Sequence, residues 1–269
     1  MGDSAMELRP LGKTGRHVSL IGFGAFKIGR NKDTKYSANY DLPSREDVFV
    51  LIDNMLELGI NVIDTAPAYG ESEKLIGAAL AANGHRSRIT LCTKVGETFG
   101  ESGSTYAYDR DSVNASIDRS LRRLETDSLD VVCVHSNGDD LKIIDQTDVL
   151  ETLDRRRSVG DIKHIGFSGK TSEGHLRALD HDSGIEVLMV ELNPDSTSQL
   201  EIVKEAGRRS VGVLVKKGLS SGRVDPARSL PWLASMSEIS SIVIGSLSPL
   251  NMTRNVAHTS PDRGSNTGA

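Results

Sequence analysis

Eight short apolar runs recur along the chain, at residues 20–24, 60–63, 89–93, 129–134, 163–167, 185–190, 211–215 and 241–244. Most are rich in Val, Ile and Leu, and each predicts a short buried strand. Between them the apolar positions return every three or four residues, the period of an amphipathic helix. The spacing predicts helices over 45–58, after Glu71, and over 112–124, 149–157, 173–181, 200–208 and 227–236. Ser44 caps the first of these with Asp47 in its first turn. A last helix starts at Ser248-Pro249, where the serine caps and the proline takes the first helical position, at which its missing N–H is no loss. Ahead of the alternation, residues 7–11, a Gly-bounded turn at 12–15 and residues 17–19 read as a hairpin.

Eight strand–helix units joined by short links predict an α/β fold, a (β/α)8 TIM barrel with an N-terminal β-hairpin. The barrel is expected to form one domain over 6–258, with 1–5 and 259–269 as flexible termini. A doubly wound dinucleotide-binding sheet is the alternative, and its fingerprint is missing. Gly22-Phe23-Gly24 ends the first strand, but Lys27 stands where the third glycine belongs. Gly169-Lys170-Thr171 has the end of a phosphate-binding loop, but His164 stands where that loop needs its first glycine.

A length of 269 residues suits one such barrel. The formal net charge of -5 gives no reason to expect a nucleic-acid partner. Arg155-Arg156-Arg157 falls on a predicted helix and reads as a solvated face. No apolar run approaches the ~18 residues of a membrane span, so no membrane partner is expected. The amino terminus lacks a signal-peptide core. Cys92 and Cys133 both lie inside apolar runs, which predicts two buried reduced thiols and no metal site. These features together predict a cytoplasmic protein.

In a barrel of this kind, catalytic groups come from the carboxyl ends of several strands. Asp64 and Tyr69 follow the second strand, Lys94 ends the third, and His135 ends the fourth. Each alone would be an ordinary solvated strand-end residue. On three consecutive strands they share one mouth. A free phenol has a pKa of about 10; a neighbouring ammonium is expected to lower it, with the aspartate holding the lysine in place. A histidine within reach can orient a bound carbonyl oxygen or share in proton transfer. The set suits a carbonyl that gains a proton as hydride arrives. Tyr36, Tyr40, Tyr69, Tyr106 and Tyr108, with Phe26 and Phe99, all fall on loops after the first three strands. Beside Tyr69 the others predict an aromatic wall that binds the substrate.

Four stretches make a family resemblance specific. They are the opening Leu11-Gly12-Lys13-Thr14-Gly15 with Val18-Ser19 and Gly22-Phe23-Gly24; Asn61-Val62-Ile63-Asp64-Thr65-Ala66-Pro67-Ala68-Tyr69-Gly70; Thr93-Lys94-Val95; and Val134-His135-Ser136. Over nearly its whole length the chain resembles the aldo-keto reductases. The resemblance implies a catalytic tetrad of Asp64, Tyr69, Lys94 and His135 with Tyr69 as proton donor. It also implies NADPH, with NADH the alternative, extended over the mouth. Ser168 matches the family's serine on the nicotinamide amide. Gly169 stands in place of its asparagine, Met189 of its glutamine and Lys216 of the aromatic residue that stacks on the nicotinamide. The backbone of 218–222, Gly218 to Gly222, is expected to wrap the pyrophosphate. Gly245 and Ser246 lead into the last helix, whose amino-terminal N–H groups favour a phosphate. Asn251 replaces an arginine for the 2′-phosphate, and Arg254 and Asn255 follow one turn later. The tail after Ala257 has no aromatic residue and suits no substrate-covering loop.

The expected function is an NADP(H)-dependent oxidoreductase that reduces a small-molecule aldehyde or ketone to an alcohol. The rival is a nicotinamide-nucleotide-binding regulatory or sensor protein on the same fold with slow or vestigial turnover, motivated by positions 169, 189 and 216. A barrel enzyme unrelated to redox would require the motif at 64–70 to be coincidence. The sequence singles out no carbonyl, no direction and no oligomeric state.

Overall fold

Eight parallel strands close on one another in the computed structural model, which describes residues 6–36, 39–180 and 184–259. They are β1 (Ile21–Gly24), β2 (Val62–Asp64), β3 (Thr90–Val95), β4 (Leu129–His135), β5 (Ile162–Ser168), β6 (Ile185–Glu191), β7 (Gly212–Lys216) and β8 (Ser241–Ile244). The closed order is β6-β7-β8-β1-β2-β3-β4-β5. Helices α1 (Arg45–Glu57), α2 (Ser72–Asn83), α3 (Arg110–Arg123), α4 (Val149–Ser158), α5 (Ser172–Asp180), α6 (Leu200–Arg208), α7 (Pro226–Ala234) and α8 (Pro249–Thr259) follow the strands in turn. The fold is the (β/α)8 barrel that the alternation predicts. Ser44 makes a full capping box with Asp47 at the start of α1. The expected helix end at His181 and the expected flexible ends at 1–5 and 259–269 lie outside the described residues, except Thr259, which is the last residue of α8. Among the described residues no helix is long and apolar enough to cross a membrane.

Strand boundaries shift toward the carboxyl end, and this matters for the site. β3, β4, β5, β6 and β7 run on to Val95, His135, Ser168, Glu191 and Lys216, so polar residues expected at strand ends are held in the sheet ladder itself. At the other end, β2 starts at Val62 because Asn61 is engaged by the N-terminal hairpin (Leu8–Pro10 and His17–Ser19). Its Oδ1 accepts from the Ser19 N–H at 2.7 Å and its Nδ2 donates to the His17 carbonyl at 3.0 Å.

That hairpin closes the amino-terminal end of the barrel. Leu11 and Val18 pack with Val62, Cys92, Val131 and Leu214 in the barrel interior. Gly12 has φ +54°, and a Cβ there would lie 2.3 Å from the Gly212 nitrogen, so both backbone and space demand glycine. Both cysteines are buried free thiols. Three segments differ from the sequence reading. A helical turn, Phe26–Gly29, follows β1, and a helix, Asp140–Gln146, follows β4. The Gly/Ser/Tyr stretch after β3, which reads as a loop, forms a second hairpin of Glu97–Gly100 with Gly103–Tyr106. Gly103, at φ +93°, makes its tight turn feasible.

Asp130 is the electrostatic anchor of the barrel base. Its side chain is fully enclosed and meets Arg16, Arg86 and Lys163, and its Oδ2 also accepts from the Leu91 N–H at 3.0 Å. Burial alone would raise its carboxyl pKa, but Arg86, the Leu91 N–H, Lys163 and Arg16 together hold it below the usual range. A depressed folded-state pKa contributes stability above the ordinary carboxylate value, and that contribution is lost as pH falls through the folded value. Asp130→Asn leaves three cations without their partner and is expected to cost about 3–5 kcal/mol of unfolding free energy at neutral pH. Urea unfolding checks this, and the gap to the unaltered protein should narrow in acid.

Candidate active site

The site begins where β2 ends. Asp64 closes the strand, and a single turn, Pro67–Tyr69, with proline at its start lifts Tyr69 over the barrel mouth. Two glycines let this turn lie against the one after β1. A Cβ on Gly70 would stand 2.1 Å from the Gly29 carbonyl oxygen, and one on Gly29 would stand 2.1 Å from that of Tyr69. The Ser72 hydroxyl, at the start of α2, donates to the Ala25 carbonyl at 2.9 Å and lies 2.9 Å from Thr65 Oγ1. The loop that carries Tyr69 is therefore tied to β1 and α2.

Lys94, on β3, reaches across to this loop. Its Nζ donates to Asp64 Oδ1 at 2.6 Å and to the Thr65 carbonyl at 2.8 Å, and stands 4.8 Å from the centre of the Tyr69 ring. Lys94 is 1% exposed and Asp64 4%. Burial would strip the charge from the ammonium, but Asp64 and Tyr69 raise its pKa above the ordinary lysine value and win. The expected lowering of the phenol is corrected by the geometry. Burial pushes Tyr69 up to about 12; Lys94 draws it back, and Asp64 and Glu97 add to the rise. Tyr69 therefore keeps its proton at neutral pH.

His135 ends β4 with its ring edge-on to Tyr69, centres 6.3 Å apart. Its Nδ1 lies 2.8 Å from Glu97 Oε2. The contact lacks the alignment of a hydrogen bond, since Nδ1 has no acceptor along its N–H direction. Proximity of charge is what it supplies. Burial lowers the His135 pKa, with Lys94 and Lys216 lowering it further and Glu97 opposing. Burial would raise Glu97, yet His135, the Ser104 hydroxyl and Arg30 hold it near 2. Glu97 is absent from the sequence reading. Its pairing with His135 depends on a hairpin that residue types do not announce.

The aromatic residues gather in two groups. Phe26 packs edge-on to Tyr69 at 5.1 Å and lies 6.2 Å from Tyr36, which meets Tyr40 at 5.7 Å. Cations lie against this wall: Lys27 Nζ is 4.0 Å from the Tyr36 ring centre and Arg30 is 3.4 Å from that of Phe99. Tyr106 and Tyr108 stack at 6.5 Å on the second hairpin side. The Tyr108 hydroxyl donates to the His135 carbonyl at 2.9 Å and accepts from the Asn137 N–H, so it braces β4.

On the other side of the mouth, Lys216 Nζ donates to Ser168 Oγ at 3.0 Å and to the Gly169 carbonyl at 2.8 Å. Burial lowers its pKa to about 8, with Lys217 and Lys94 contributing. Position 169 has little room for a side chain, because a Cβ would lie 2.6 Å from the Phe167 ring and 3.0 Å from Asp140 Oδ2. Met189 is buried in the apolar layer with Cys133, Val187 and Leu214. A cavity of about 160 Å³ lies between the ends of β7 and β8, lined by Lys27, Tyr36, Lys217, Gly218, Gly222 and Gly245. Ser246 is buried and its hydroxyl accepts from the Ser248 N–H. On α8, Asn251 and Arg254 are exposed while Asn255 is buried. Two larger clefts, of about 510 and 530 Å³, lie on the outer wall by α2 and α3 and beside the basal hairpin. None of Asp64, Tyr69, Lys94 and His135 lines these two clefts or the smaller cavity.

The Aldo/keto reductase family model matches residues 20–231. The L-galactose dehydrogenase of Arabidopsis thaliana is 27% identical over 88% of this chain and 72% of its own length. The D-arabinose 1-dehydrogenase of Saccharomyces cerevisiae is 41% identical over 41% of this chain, which spans only 33% of that protein. Among solved structures, PA4992 of Pseudomonas aeruginosa, described as a candidate aldo-keto reductase, is 36% identical with a TM-score of 0.85 over 94% of both chains. With its barrel, its strand-end residues and this match, the chain belongs to the Aldo/keto reductase family.

Proposed function

We propose that the protein is an NADPH-dependent reductase of aldehydes or ketones, with Tyr69 as the proton donor. The observation that carries this reading is the buried Lys94 ammonium, held by Asp64 and Thr65 beside the Tyr69 ring. The cofactor, when bound, supplies the hydride. Tyr69 gives its proton to the carbonyl oxygen, and Lys94 stabilises the phenolate left behind. The aromatic wall of Phe26, Tyr36 and Tyr40 excludes water from one side of the mouth and offers apolar surface to the substrate.

The residues present suit the anionic middle of a dinucleotide. The loop after β7 has left-handed backbone at Lys217, Ser220, Ser221 and Gly222, a local geometry common in anion-binding concavities. Lys27 faces the same cavity with aromatic rings as its neighbours, and among the described residues it has no carboxylate partner within ion-pair distance. Lys217 is paired with Glu191. At the nicotinamide end, Ser168 is in place but shared with Lys216. Arg254, exposed on α8, supplies a cation for a 2′-phosphate where Asn251 supplies none.

The test is a screen of NADPH and NADH oxidation against aldehydes, ketones and quinones. The panel includes L-galactose and D-arabinose, the sugars in the names of two relatives. The reading expects turnover on at least one compound, with NADPH effective at lower concentration than NADH. Tight NADPH binding without turnover on any compound would favour the regulatory or sensor reading, which the engagement of Ser168 by Lys216 motivates.

A further inference from the structure

The outer-wall cleft of about 510 Å³ gathers Arg45 from α1, Lys74 from α2 and Arg119, Arg122 and Arg123 from α3. The carboxylates along its lining are those of Glu71 and Glu125, and Glu71 is taken by Lys74 at 2.7 Å. Glu73, fully buried, lies 3.6 Å from Arg123, too far for a hydrogen bond, and its Oε1 accepts from the Thr93 hydroxyl at 2.8 Å. An excess of positive charge remains, in a chain whose formal net charge is -5. Arginines elsewhere are committed: Arg9, Arg86, Arg156 and Arg157 donate to carbonyls or carboxylates. In the cleft, among the described residues, the guanidinium groups of Arg45, Arg122 and Arg123 donate no hydrogen bond. Arg119 donates to the Ser116 hydroxyl alone, at 3.3 Å.

Helix stability does not account for this crowding. Arg122 and Arg123 lie in the last turn of α3, where the helix dipole favours a cation. Arg45 opens α1 and Lys74 lies in the first turn of α2, where the dipole disfavours one. Arg119 is pressed by its neighbours: burial lowers its pKa, Arg123 and Arg122 lower it further, and Glu73 opposes them. We propose that this cleft is a binding site for a small phosphorylated molecule that carries at least two negative charges. An anion seated there relieves the repulsion among the cations, and the unused guanidinium forks match phosphate oxygens two at a time. The volume falls within the range of small-molecule sites, about 300–1,000 Å³. An acidic protein segment would also answer to the charge, but a cleft walled by three helices suits a compact ligand better than an extended one. No residue of the tetrad or of the aromatic wall lines it, so the assignment does not rest on the carbonyl-reductase reading.

Isothermal titration of the full chain with sodium pyrophosphate, at neutral pH and fixed ionic strength, tests the site. The unaltered protein should bind pyrophosphate saturably. The double variant Arg119→Gln, Arg122→Gln should weaken that binding by at least ~10-fold, the worth of one charge-assisted hydrogen bond. Arg45→Gln, which keeps a good helix former in the first turn of α1, should weaken it as well, and it decides the matter if the double variant does not fold. Absence of saturable binding to the unaltered protein would overturn the proposal, and so would binding that the arginine variants leave unchanged. Binding lost in Lys27→Gln but kept in the arginine variants would place the anion in the cavity between β7 and β8 and would also overturn it. Binding of a hexaglutamate peptide with no binding of pyrophosphate would make the cleft a docking surface for an acidic protein segment, which contradicts the small-ligand assignment.

Discussion

Replacing Tyr69 with phenylalanine is expected to slow carbonyl reduction by about 10²–10⁴-fold, the usual cost of losing a positioned general acid. The substitution removes one hydroxyl and keeps the ring. The edge contacts of that ring with Phe26 and His135 survive, and so does the Lys94–Asp64 pair beneath it. Folding and cofactor binding should therefore be little changed. Two neighbours cannot replace the phenol, since Lys94 is committed to Asp64 and Thr65, and Glu97 is held ionised far below neutrality. The raised phenol pKa sets the sign of the pH dependence. Tyr69 stays protonated across the neutral range, so reduction by the unaltered protein should not fall as pH rises through 7 and 8 on account of this residue.

Lys94→Met should lower the rate by a similar order and also destabilise the protein. Lys94 is the charge that opposes the burial of Tyr69, and without it the phenolate formed on proton donation has no nearby cation. Asp64 would be left as an enclosed carboxylate without its partner, a loss of about 3–5 kcal/mol for broken buried pairs. Chemical denaturation and rate measurements separate the two effects. If Tyr69 and Lys94 act as one unit, the double variant should be little slower than the slower single variant. Multiplying losses would show that the two side chains act independently.

The residues at the strand ends were legible in the sequence for a physical reason. The barrel is set by alternation alone, and alternation places Asp64, Lys94 and His135 on adjacent strands with Tyr69 one turn beyond. Two things were not legible. Glu97 meets His135 only because residues 97–106 fold back as a hairpin, and cross-strand pairing of Thr98 with Thr105 carries no strong pattern in so polar a stretch. The direction of the Tyr69 pKa was also hidden. Residue types announce the neighbouring ammonium, but the desolvation that outweighs it depends on how the loops after β1 and β2 close over the ring. Lys216 shows the same limit. Its place in the sequence marks a departure from the family pattern, while its bonds to Ser168 and Gly169 follow from the sheet register of β5, β6 and β7.

Single-turnover reduction with NADPH already bound, followed by stopped flow, bears most directly on the role of Tyr69, because it isolates chemistry from cofactor exchange. With an aldehyde that the unaltered protein reduces, the NADPH absorbance should decay in one phase that slows at least ~10²-fold in Tyr69→Phe. A Tyr69→Phe variant that reduces the aldehyde at nearly the full rate would mean that the proton comes from elsewhere. Tyr69 would then not be the donor, and Lys94 and Asp64 would not act through it.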